Sequence, residues 1–226
     1  MNLIFKYIKL KKILFLDILR TRRLSVFLKE LKNIRAYTRY YKIKPDDVVI
    51  DIGAYHGWFS LLNYSKIKKG KLYCLEIDPV NFSILKKNIV NNNLNIKIYN
   101  IGVWENTGTA NLYGYRLGSM GSRINYVNRR VSKNVECNVI TLEDFIKQEN
   151  IKKIDFIKID VEGAEIEILK SSIDVLKKYK PTLSIATYHI RNSVKTYLEV
   201  EKLLKKANYP KVFTENKKHL VTYAMK

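Results

Sequence analysis

Apolar runs rich in β-branched residues alternate with segments of helical periodicity over most of the chain. The runs predict strands at residues 48–52, 72–77, 96–102, 154–160 and 182–188. The periodic segments predict helices at about 58–68, 79–92, 163–178 and 193–207. Because the strands are apolar throughout, they are typical of a parallel sheet that is buried on both faces. The pattern therefore predicts an α/β fold with helices on both sides of a mostly parallel sheet.

Three segments depart from this alternation. Residues 1–44 have apolar positions at helical spacing with Lys and Arg between them, which predicts a basic amphipathic helical extension before a domain spanning 45–226. Residues 109–139 lack a helical period and predict an insertion of loops and short strands. The last residues predict a hairpin that turns at 215–218, and its final strand would join the sheet antiparallel to its neighbours.

The 226-residue chain is strongly basic, with 42 Lys and Arg against 21 Asp and Glu and a net charge of +21. Residues 1–44 hold 13 of the basic and 2 of the acidic residues, so this short extension carries about half of the excess. A basic helix of this kind packs its apolar face on the domain, lies on an anionic membrane or helps to hold an acidic substrate. The charge favours anionic partners, although a genome rich in A and T would give a similar composition.

Several features bear on the cellular compartment. No apolar stretch approaches the ~20 residues that span a bilayer, and Asp17 interrupts the short apolar run near the start. Two cysteines, Cys74 and Cys137, are too few for a disulfide framework, which is typical of a reducing compartment. We therefore predict a cytoplasmic protein that contacts the membrane, if at all, only peripherally through its N-terminal helices. The sequence gives no indication of the oligomeric state.

The stretch VIDIGAYHG, residues 49–57, ends the first predicted strand in a turn with two glycines. Ligands of open α/β sheets bind at the carboxyl ends of strands where the strand order reverses. Gly53 would let the main chain approach a ligand, and Gly57 would let the next helix begin close to the strand. Asp51 would repel a pyrophosphate but attract the cationic amino acid part of S-adenosylmethionine. Glu76, which ends the second strand, can accept two hydrogen bonds from ribose hydroxyls.

These motifs resemble those of the FkbM family of S-adenosylmethionine-dependent methyltransferases. The resemblance covers about residues 46–226, is most specific over 139–170, and is carried by DIGAYHG, LEIDP, IGVWENTG and VITLEDFIKQENIKKIDFIKIDVEGAEIEILK. It implies a Rossmann-like class I methyltransferase fold of seven strands, the cofactor S-adenosyl-L-methionine, and O-methylation of a sugar, a glycan or another small molecule. The residues that it places at the cofactor are Asp51, Gly53, Ala54, Tyr55, Gly57, Glu76, Ile77, Val103, Trp104 and Asp160.

Asp160, Glu162 and His189 are the candidate catalytic residues. Asp160 ends the fourth predicted strand, Glu162 follows on the same turn, and His189 follows the fifth strand, which should neighbour the fourth. Methyl transfer to a hydroxyl needs a group that accepts its proton, and we expect His189 to be that base, with Asp160 orienting it or the substrate. Two alternatives remain open. The three side chains could bind a divalent metal, or Asp160 could cap the following helix.

Two other functions are compatible with the composition. A nucleic-acid methyltransferase would explain the charge and the residues Arg123, Tyr126, Arg129 and Arg130 of the insertion. Enzymes that methylate exocyclic base nitrogens, however, have an Asn/Asp-Pro-Pro-aromatic turn where this chain has DVEG, which argues against a nucleic-acid partner. A non-catalytic membrane-surface protein could retain the same fold. The sequence does not identify the methyl acceptor. The basic charge favours a small molecule or glycan that is acidic or lipid-linked.

Overall fold

The computed structural model of the protein describes residues 33–114, 123–124, 133–191, 193–215 and 220–226. Its strands are β1 (Val48–Ile52), β2 (Lys71–Leu75), β3 (Lys97–Tyr99), β4 (Gly102–Val103), β5 (Gly108–Gly114), β6 (Arg123–Ile124), β7 (Lys133–Ile140), β8 (Phe156–Ile159), β9 (Thr182–Ala186), β10 (Ile190–Arg191), β11 (Val194–Lys195), β12 (Lys211–Glu215) and β13 (Val221–Met225). Its helices are α1 (Trp58–Tyr64), α2 (Pro79–Asn91), α3 (Leu142–Gln148), α4 (Glu165–Ser171), α5 (Ile173–Tyr179) and α6 (Tyr197–Lys206).

The central sheet of the described residues has seven strands in the order β12-β13-β9-β8-β1-β2-β3. The five strands from β9 to β3 are parallel, and β13 joins β9 antiparallel as part of a hairpin with β12. The predicted fold class and the C-terminal hairpin are therefore confirmed, although residues 216–219 of the turn lie outside the described part. Since the chain leaves β1 towards β2 and later returns to its other side at β8, the strand order reverses between β1 and β8.

The sheet separates two hydrophobic cores, because successive side chains of a strand point to opposite faces. In β1, Ile50 and Ile52 belong to the core that is covered by helices α3 to α6. Val49 belongs to the core on the other face, which is covered by α1 and α2. All five residues of β1 are buried. This double burial is the reason why the strand sequence reads as one continuous apolar run.

The segment 33–43, which falls in the predicted N-terminal extension, is part of the second core. Its apolar side chains are buried against the sheet and α1. The Ser184 hydroxyl donates a hydrogen bond to the Tyr37 carbonyl at 2.7 Å, and the Tyr223 hydroxyl donates one to the Ala36 carbonyl at 2.8 Å. The predicted division between extension and domain therefore does not mark a break in the packing. The residues before this segment lie outside the described part.

A second sheet, in the order β4-β7-β5-β6, occupies the region of the predicted insertion. The β5 and β7 strands pair antiparallel over seven residue positions, so this region is more regular than the predicted loops and short strands. The strands were not predicted from the sequence, because one face of this small sheet carries polar residues such as Asn111 and Asn138 and the strands therefore lack a continuous apolar run. Of the basic and aromatic residues noted there, Arg123 lies in β6. Tyr126, Arg129 and Arg130 lie outside the described residues.

Several helices differ from the predicted segments. The segment predicted as one helix over 163–178 divides at Ser172 into α4 and α5. Residues before α6 form the short hairpin of β10 and β11 rather than helix. Helix α3 was not predicted, although Thr141 caps it by accepting a hydrogen bond from the Asp144 backbone N–H at 3.0 Å. Among the described residues, no helix is both long enough and apolar enough to cross a membrane.

Candidate active site

The two glycines of the turn after β1 are required by close packing. Gly53 has φ +74°, and a Cβ there would lie 1.9 Å from the carbonyl oxygen of Asp160. Gly57 has φ +84°, and a Cβ there would lie 2.5 Å from Cδ1 of Leu85 in α2. The contacts that demand glycine are thus with the end of β8 and with α2. The expected approach of Gly53 to a cofactor stays a prediction.

Glu76 joins the two motifs that were assigned to the cofactor. Its carboxylate accepts hydrogen bonds from the backbone N–H of Tyr55 at 2.6 Å and of Asp78 at 2.9 Å. Only 6% of Glu76 is exposed, and this burial raises its pKa to about 7 in spite of the two backbone donors. The acid therefore holds the glycine turn against the end of β2, at the edge of the sheet where ligands of this fold bind.

Asp51 lies in the interior and forms an ion pair with Lys158. Register pairing sets Asp51 of β1 beside Lys158 of β8, and the Lys158 Nζ lies 3.0 Å from Asp51 Oδ1. The Ser60 hydroxyl donates to the other carboxylate oxygen at 2.8 Å. Burial disfavours the charged form of Lys158, but the attraction of Asp51 and Asp160 outweighs it and raises the pKa of Lys158.

This pairing corrects the electrostatic argument made for Asp51 from the sequence. Asp51 is 0% exposed and its charge is balanced, so its carboxylate does not provide a free negative charge for a cationic ligand. Lys158 also donates a hydrogen bond to the carbonyl of Gly53 at 2.6 Å. The ion pair therefore acts on the site through the main chain of the glycine turn.

The remaining candidate cofactor residues surround this turn. Val103 and Ala54 are buried core residues, 2% and 4% exposed, so their side chains serve packing. Trp104 packs on the same core as Val103, and its backbone N–H donates to the Ile140 carbonyl at 3.0 Å. Ile77 is partly buried immediately after Glu76. A contact of these residues with adenine stays a prediction.

Asp160 lies where the strand order reverses and is oriented by two tyrosines. The Tyr37 hydroxyl donates to Asp160 Oδ2 at 2.9 Å, and the Tyr188 hydroxyl donates to Oδ1 at 3.4 Å. Helix α4 begins at Glu165 and has no side-chain cap, so Asp160 is not a helix cap. About a quarter of the Asp160 side chain is exposed, which leaves the carboxylate accessible from the carboxyl edge of the sheet.

The structure brings His189 to the two acids with which it was predicted to act. Its Nε2 lies 3.9 Å from Asp160 Oδ1 and 3.5 Å from Glu162 Oε2, and its Nδ1 lies 2.7 Å from Oε1 of the buried Glu165. Burial opposes the charge on the imidazole, but the attraction of Glu165 and Glu162 raises the pKa of His189 to about 10. A raised pKa favours the protonated ring at neutral pH, and in that form His189 orients the acids instead of accepting a proton. The role of His189 as the base stays a prediction.

Four residues that contact the site were not singled out in the sequence. They are Tyr37, Lys158, Glu165 and Asn100, the last of which donates to the carbonyls of Glu76 and Ile77 at 2.9 and 3.0 Å. The sequence does indicate a role for Lys158, because a lysine in an otherwise apolar strand needs a buried partner of opposite charge. Tyr37 had no local signal, since it is 123 positions away from Asp160 in the chain.

Comparison with known proteins agrees with this geometry. The sequence matches the family described as the Methyltransferase FkbM domain over residues 51–211, which is more than half of the chain. The chain belongs to the FkbM methyltransferase family. The matched range begins at Asp51. It includes the glycine turn, Glu76 and the group formed by Asp160, Glu162 and His189, but not Tyr37.

Individual relatives of this FkbM-family chain are distant. The 31-O-demethyl-FK506 methyltransferase FkbM of Streptomyces tacrolimicus is 25% identical over 62% of this chain and 65% of its own length. Methyltransferase 1 of Beauveria bassiana is 24% identical over 58% of this chain and 60% of its own length. The chain thus spans less than two thirds of these relatives. The crystal structure of methyltransferase FkbM from Methylobacillus flagellatus aligns with a TM-score of 0.59 and 21% identity, over 83% of this chain and 47% of the other, which shows a shared class I methyltransferase fold.

Proposed function

We propose that the protein transfers a methyl group from S-adenosylmethionine to a hydroxyl oxygen of a sugar, a glycan or another small molecule. The observation that carries this proposal is the junction of Glu76 with the glycine turn at the reversal of strand order. There the Glu76 carboxylate contacts the Tyr55 N–H at 2.6 Å, and Asp160 ends the neighbouring strand β8 on the other side of β1. Family membership supports methyl transfer as the chemistry.

The residues present fit S-adenosylmethionine. A buried carboxylate whose present partners are backbone N–H groups suits the two hydroxyls of a ribose, which would be additional donors to Glu76. Gly53 and Gly57 leave two positions of the turn without side chains, which brings the main chain close to the end of β8 and to α2. When bound, the cofactor supplies an electrophilic methyl group on a sulfonium.

The acidic cluster after β8 supplies the group that accepts a proton. The acceptor hydroxyl loses its proton as its oxygen forms the new bond to carbon, so a carboxylate beside it promotes the transfer. Asp160 and Glu162 are both partly exposed, at about a quarter of each side chain. They are therefore candidate bases beside His189, whose Nε2 lies 3.5 Å from Glu162 and 3.9 Å from Asp160.

Two observations support the acceptor class. The name of the Streptomyces tacrolimicus relative describes methylation at an oxygen of a small molecule. The net charge of +21 favours an acceptor that carries acidic or phosphate groups, including a lipid-linked glycan. The first observation argues for a hydroxyl, and the second narrows the molecules that should be screened.

Calorimetric titration of the purified chain tests the cofactor assignment. We expect S-adenosylmethionine and S-adenosylhomocysteine to bind and NAD not to bind. Glu76→Gln should weaken both affinities about tenfold or more, because a hydrogen bond to a charged acceptor contributes about 1.5–3 kcal/mol. Glu149→Gln is the matched control, since Glu149 forms its ion pair with Lys97 at 2.7 Å and is not part of the proposed site.

Circular dichroism of each variant shows whether a loss of cofactor binding is due to unfolding. Binding that is weakened in Glu76→Gln and unchanged in Glu149→Gln supports the proposal. Equal affinity of the two variants would show that Glu76 does not contact the ribose. Absence of binding of both cofactor forms to the folded wild-type chain would overturn the proposed methyl transfer.

A further inference from the structure

Three ligand-type side chains converge beside the proposed methyl-transfer position. Asp160, Glu162 and His189 each offer one nitrogen or oxygen atom, and these atoms lie within 4.8 Å of one another. We propose that they bind a divalent metal ion that coordinates the acceptor hydroxyl. This inference rests on the proposed methyl transfer for the position of the acceptor, whereas the metal site itself rests on the side chains alone.

The spacing of the three groups suits a metal. Metal–ligand bonds of about 2.1 Å at angles of 90–110° place neighbouring ligand atoms roughly 3.0–3.4 Å apart. The distances from His189 Nε2 are 3.5 Å to Glu162 and 3.9 Å to Asp160. Since all three ligand atoms lie within 4.8 Å of one another, the two partly exposed carboxylates would complete the coordination by moving about 1 Å towards the ion.

His189 is the independent observation that points to a ligand. His189 is 3% exposed, and within the described residues neither of its ring nitrogens has a hydrogen-bond partner of acceptable geometry. A buried nitrogen in this state costs free energy unless something binds it. The Nε2 nitrogen faces the gap between Asp160 and Glu162, where a metal would take the place of a proton.

The surrounding residues resemble the second layer of known metal sites. Histidine ligands usually direct their other nitrogen at a carboxylate, which fixes the ring. Here Glu165, which is 0% exposed, lies 2.7 Å from His189 Nδ1, an ion-pair contact in which a small rotation of the ring would align a hydrogen bond. Metal-binding carboxylates are in turn hydrogen-bonded, and Asp160 accepts from Tyr37 and Tyr188. Three carboxylates around one imidazole also leave a net negative charge that a divalent cation would balance.

The ligand set defines the chemistry. One imidazole and two carboxylates suit Mn²⁺, Fe²⁺, Zn²⁺ or Mg²⁺, and three protein ligands leave positions open for the acceptor oxygen. Coordination lowers the pKa of the hydroxyl, whose proton passes to the non-coordinating oxygen of Glu162. The freed electron pair forms the oxygen–carbon bond while the carbon–sulfur bond breaks and its electrons stay on sulfur. The site would thus make a weakly acidic alcohol reactive.

Titration of the full-length chain with Mn²⁺ alone, followed by electron paramagnetic resonance, tests the site. We expect one Mn²⁺ per chain. Glu162→Gln and Asp160→Asn should each weaken binding at least tenfold, because each removes a charged ligand. Glu167→Gln is the matched control, since Glu167 lies two residues after Glu165 but pairs with Arg191 at 2.5 Å, and its affinity should stay within twofold. Thermal unfolding of each variant shows whether it folds.

Cofactor binding measured separately in EDTA distinguishes this proposal from the function on which it rests. Mn²⁺ binding that is absent, or that persists unchanged in folded Glu162→Gln and Asp160→Asn, overturns the metal site and leaves cofactor binding unaffected. Mn²⁺ binding that is lost equally in Glu167→Gln overturns it as well, because the effect would not be local. Mn²⁺ binding without cofactor binding would support the metal site and remove the proposed methyl transfer.

Discussion

The carboxyl group of Glu76 has a pKa close to neutral pH. Burial raises its pKa to about 7, so near neutral pH a substantial fraction of the folded protein carries a neutral carboxyl where we propose that the ribose binds. A neutral carboxyl accepts hydrogen bonds less well than a carboxylate does. Protonation of this one residue should therefore compete with cofactor binding.

We expect the affinity for S-adenosylmethionine to rise as the pH is raised from 6 to 8. With a pKa of about 7 and binding to the carboxylate form, the ionised fraction and hence the affinity increase about tenfold over this interval. Calorimetric titrations at several pH values measure the change. The Glu76→Gln variant should show a flat profile, and an equally steep profile in that variant would assign the dependence to another group.

The buried Asp51–Lys158 pair should contribute strongly to the stability of the fold. Removing one partner of a buried ion pair leaves an uncompensated charge and typically costs about 3–5 kcal/mol. We therefore expect Lys158→Met to lower the free energy of unfolding by that amount in urea titrations. The double variant Asp51→Asn with Lys158→Met should recover part of the loss, because no unpaired charge remains.

An exposed ion pair provides the control for this prediction. Lys153 lies 3.3 Å from Asp46 and 3.2 Å from Asp155, and half of the lysine side chain is exposed. Lys153→Met should change the free energy of unfolding by less than about 1 kcal/mol. A similar small effect of Lys158→Met would contradict the assignment of a charged, buried pair.

The β1–α1 turn is positioned by packing against two other elements, β8 and α2. Because Gly57 combines a left-handed backbone with a 2.5 Å approach to Leu85, Gly57→Ala introduces both backbone strain and a clash. We expect a loss of about 2–4 kcal/mol in the free energy of unfolding, from roughly 1–2 kcal/mol of strain and a similar cost of overpacking. Thermal and urea unfolding measure it.

Removal of the Leu85 side chain separates the two causes, because Leu85 Cδ1 is the atom that a Cβ at residue 57 would meet. In the Leu85→Ala background the additional loss caused by Gly57→Ala should be clearly smaller than in the wild-type chain. Equal losses in the two backgrounds would show that backbone strain alone, and not the contact with α2, makes glycine necessary in the turn.

The second core and the site depend on a segment that lies outside the matched family range. Residues 33–43 bury the side chains of Ile34, Tyr37 and Ile43 on the second core, and Tyr37 also reaches Asp160. Each fully buried side chain of this size contributes about 1.5–3 kcal/mol. The sum is comparable with the 5–15 kcal/mol that typically stabilises a domain.

We therefore expect a chain that begins at residue 45 to unfold at a much lower temperature than a chain that begins at residue 33, or not to fold. Circular dichroism melting of the two truncated chains checks this directly. The comparison isolates the contacts of residues 33–44 from everything before them. Equal melting temperatures would show that the segment is dispensable for the fold. Membrane contact by the earlier basic residues stays a prediction.

Local sequence was sufficient for the features that arise from local periodicity and strand ends. The apolar runs gave the parallel sheet because both of its faces are buried, and the positions of the glycine turn, Glu76, Asp160 and His189 followed from the rule that parallel strands end at one edge. Helix boundaries and the second sheet were less accurate, because capping, breaks such as Ser172 and mixed polar faces leave weak patterns.

Long-range packing decided the properties that follow from neighbours distant in the chain. Lys158 contacts Gly53 across 105 positions and Tyr37 contacts Asp160 across 123, and no periodicity encodes such register. The protonation of His189 likewise depends on how Glu162 and Glu165 are folded around it. The residue types at the candidate site could therefore be predicted from the sequence. Their charges, partners and roles could not, because electrostatic interactions depend on distance and burial, which only the folded chain defines.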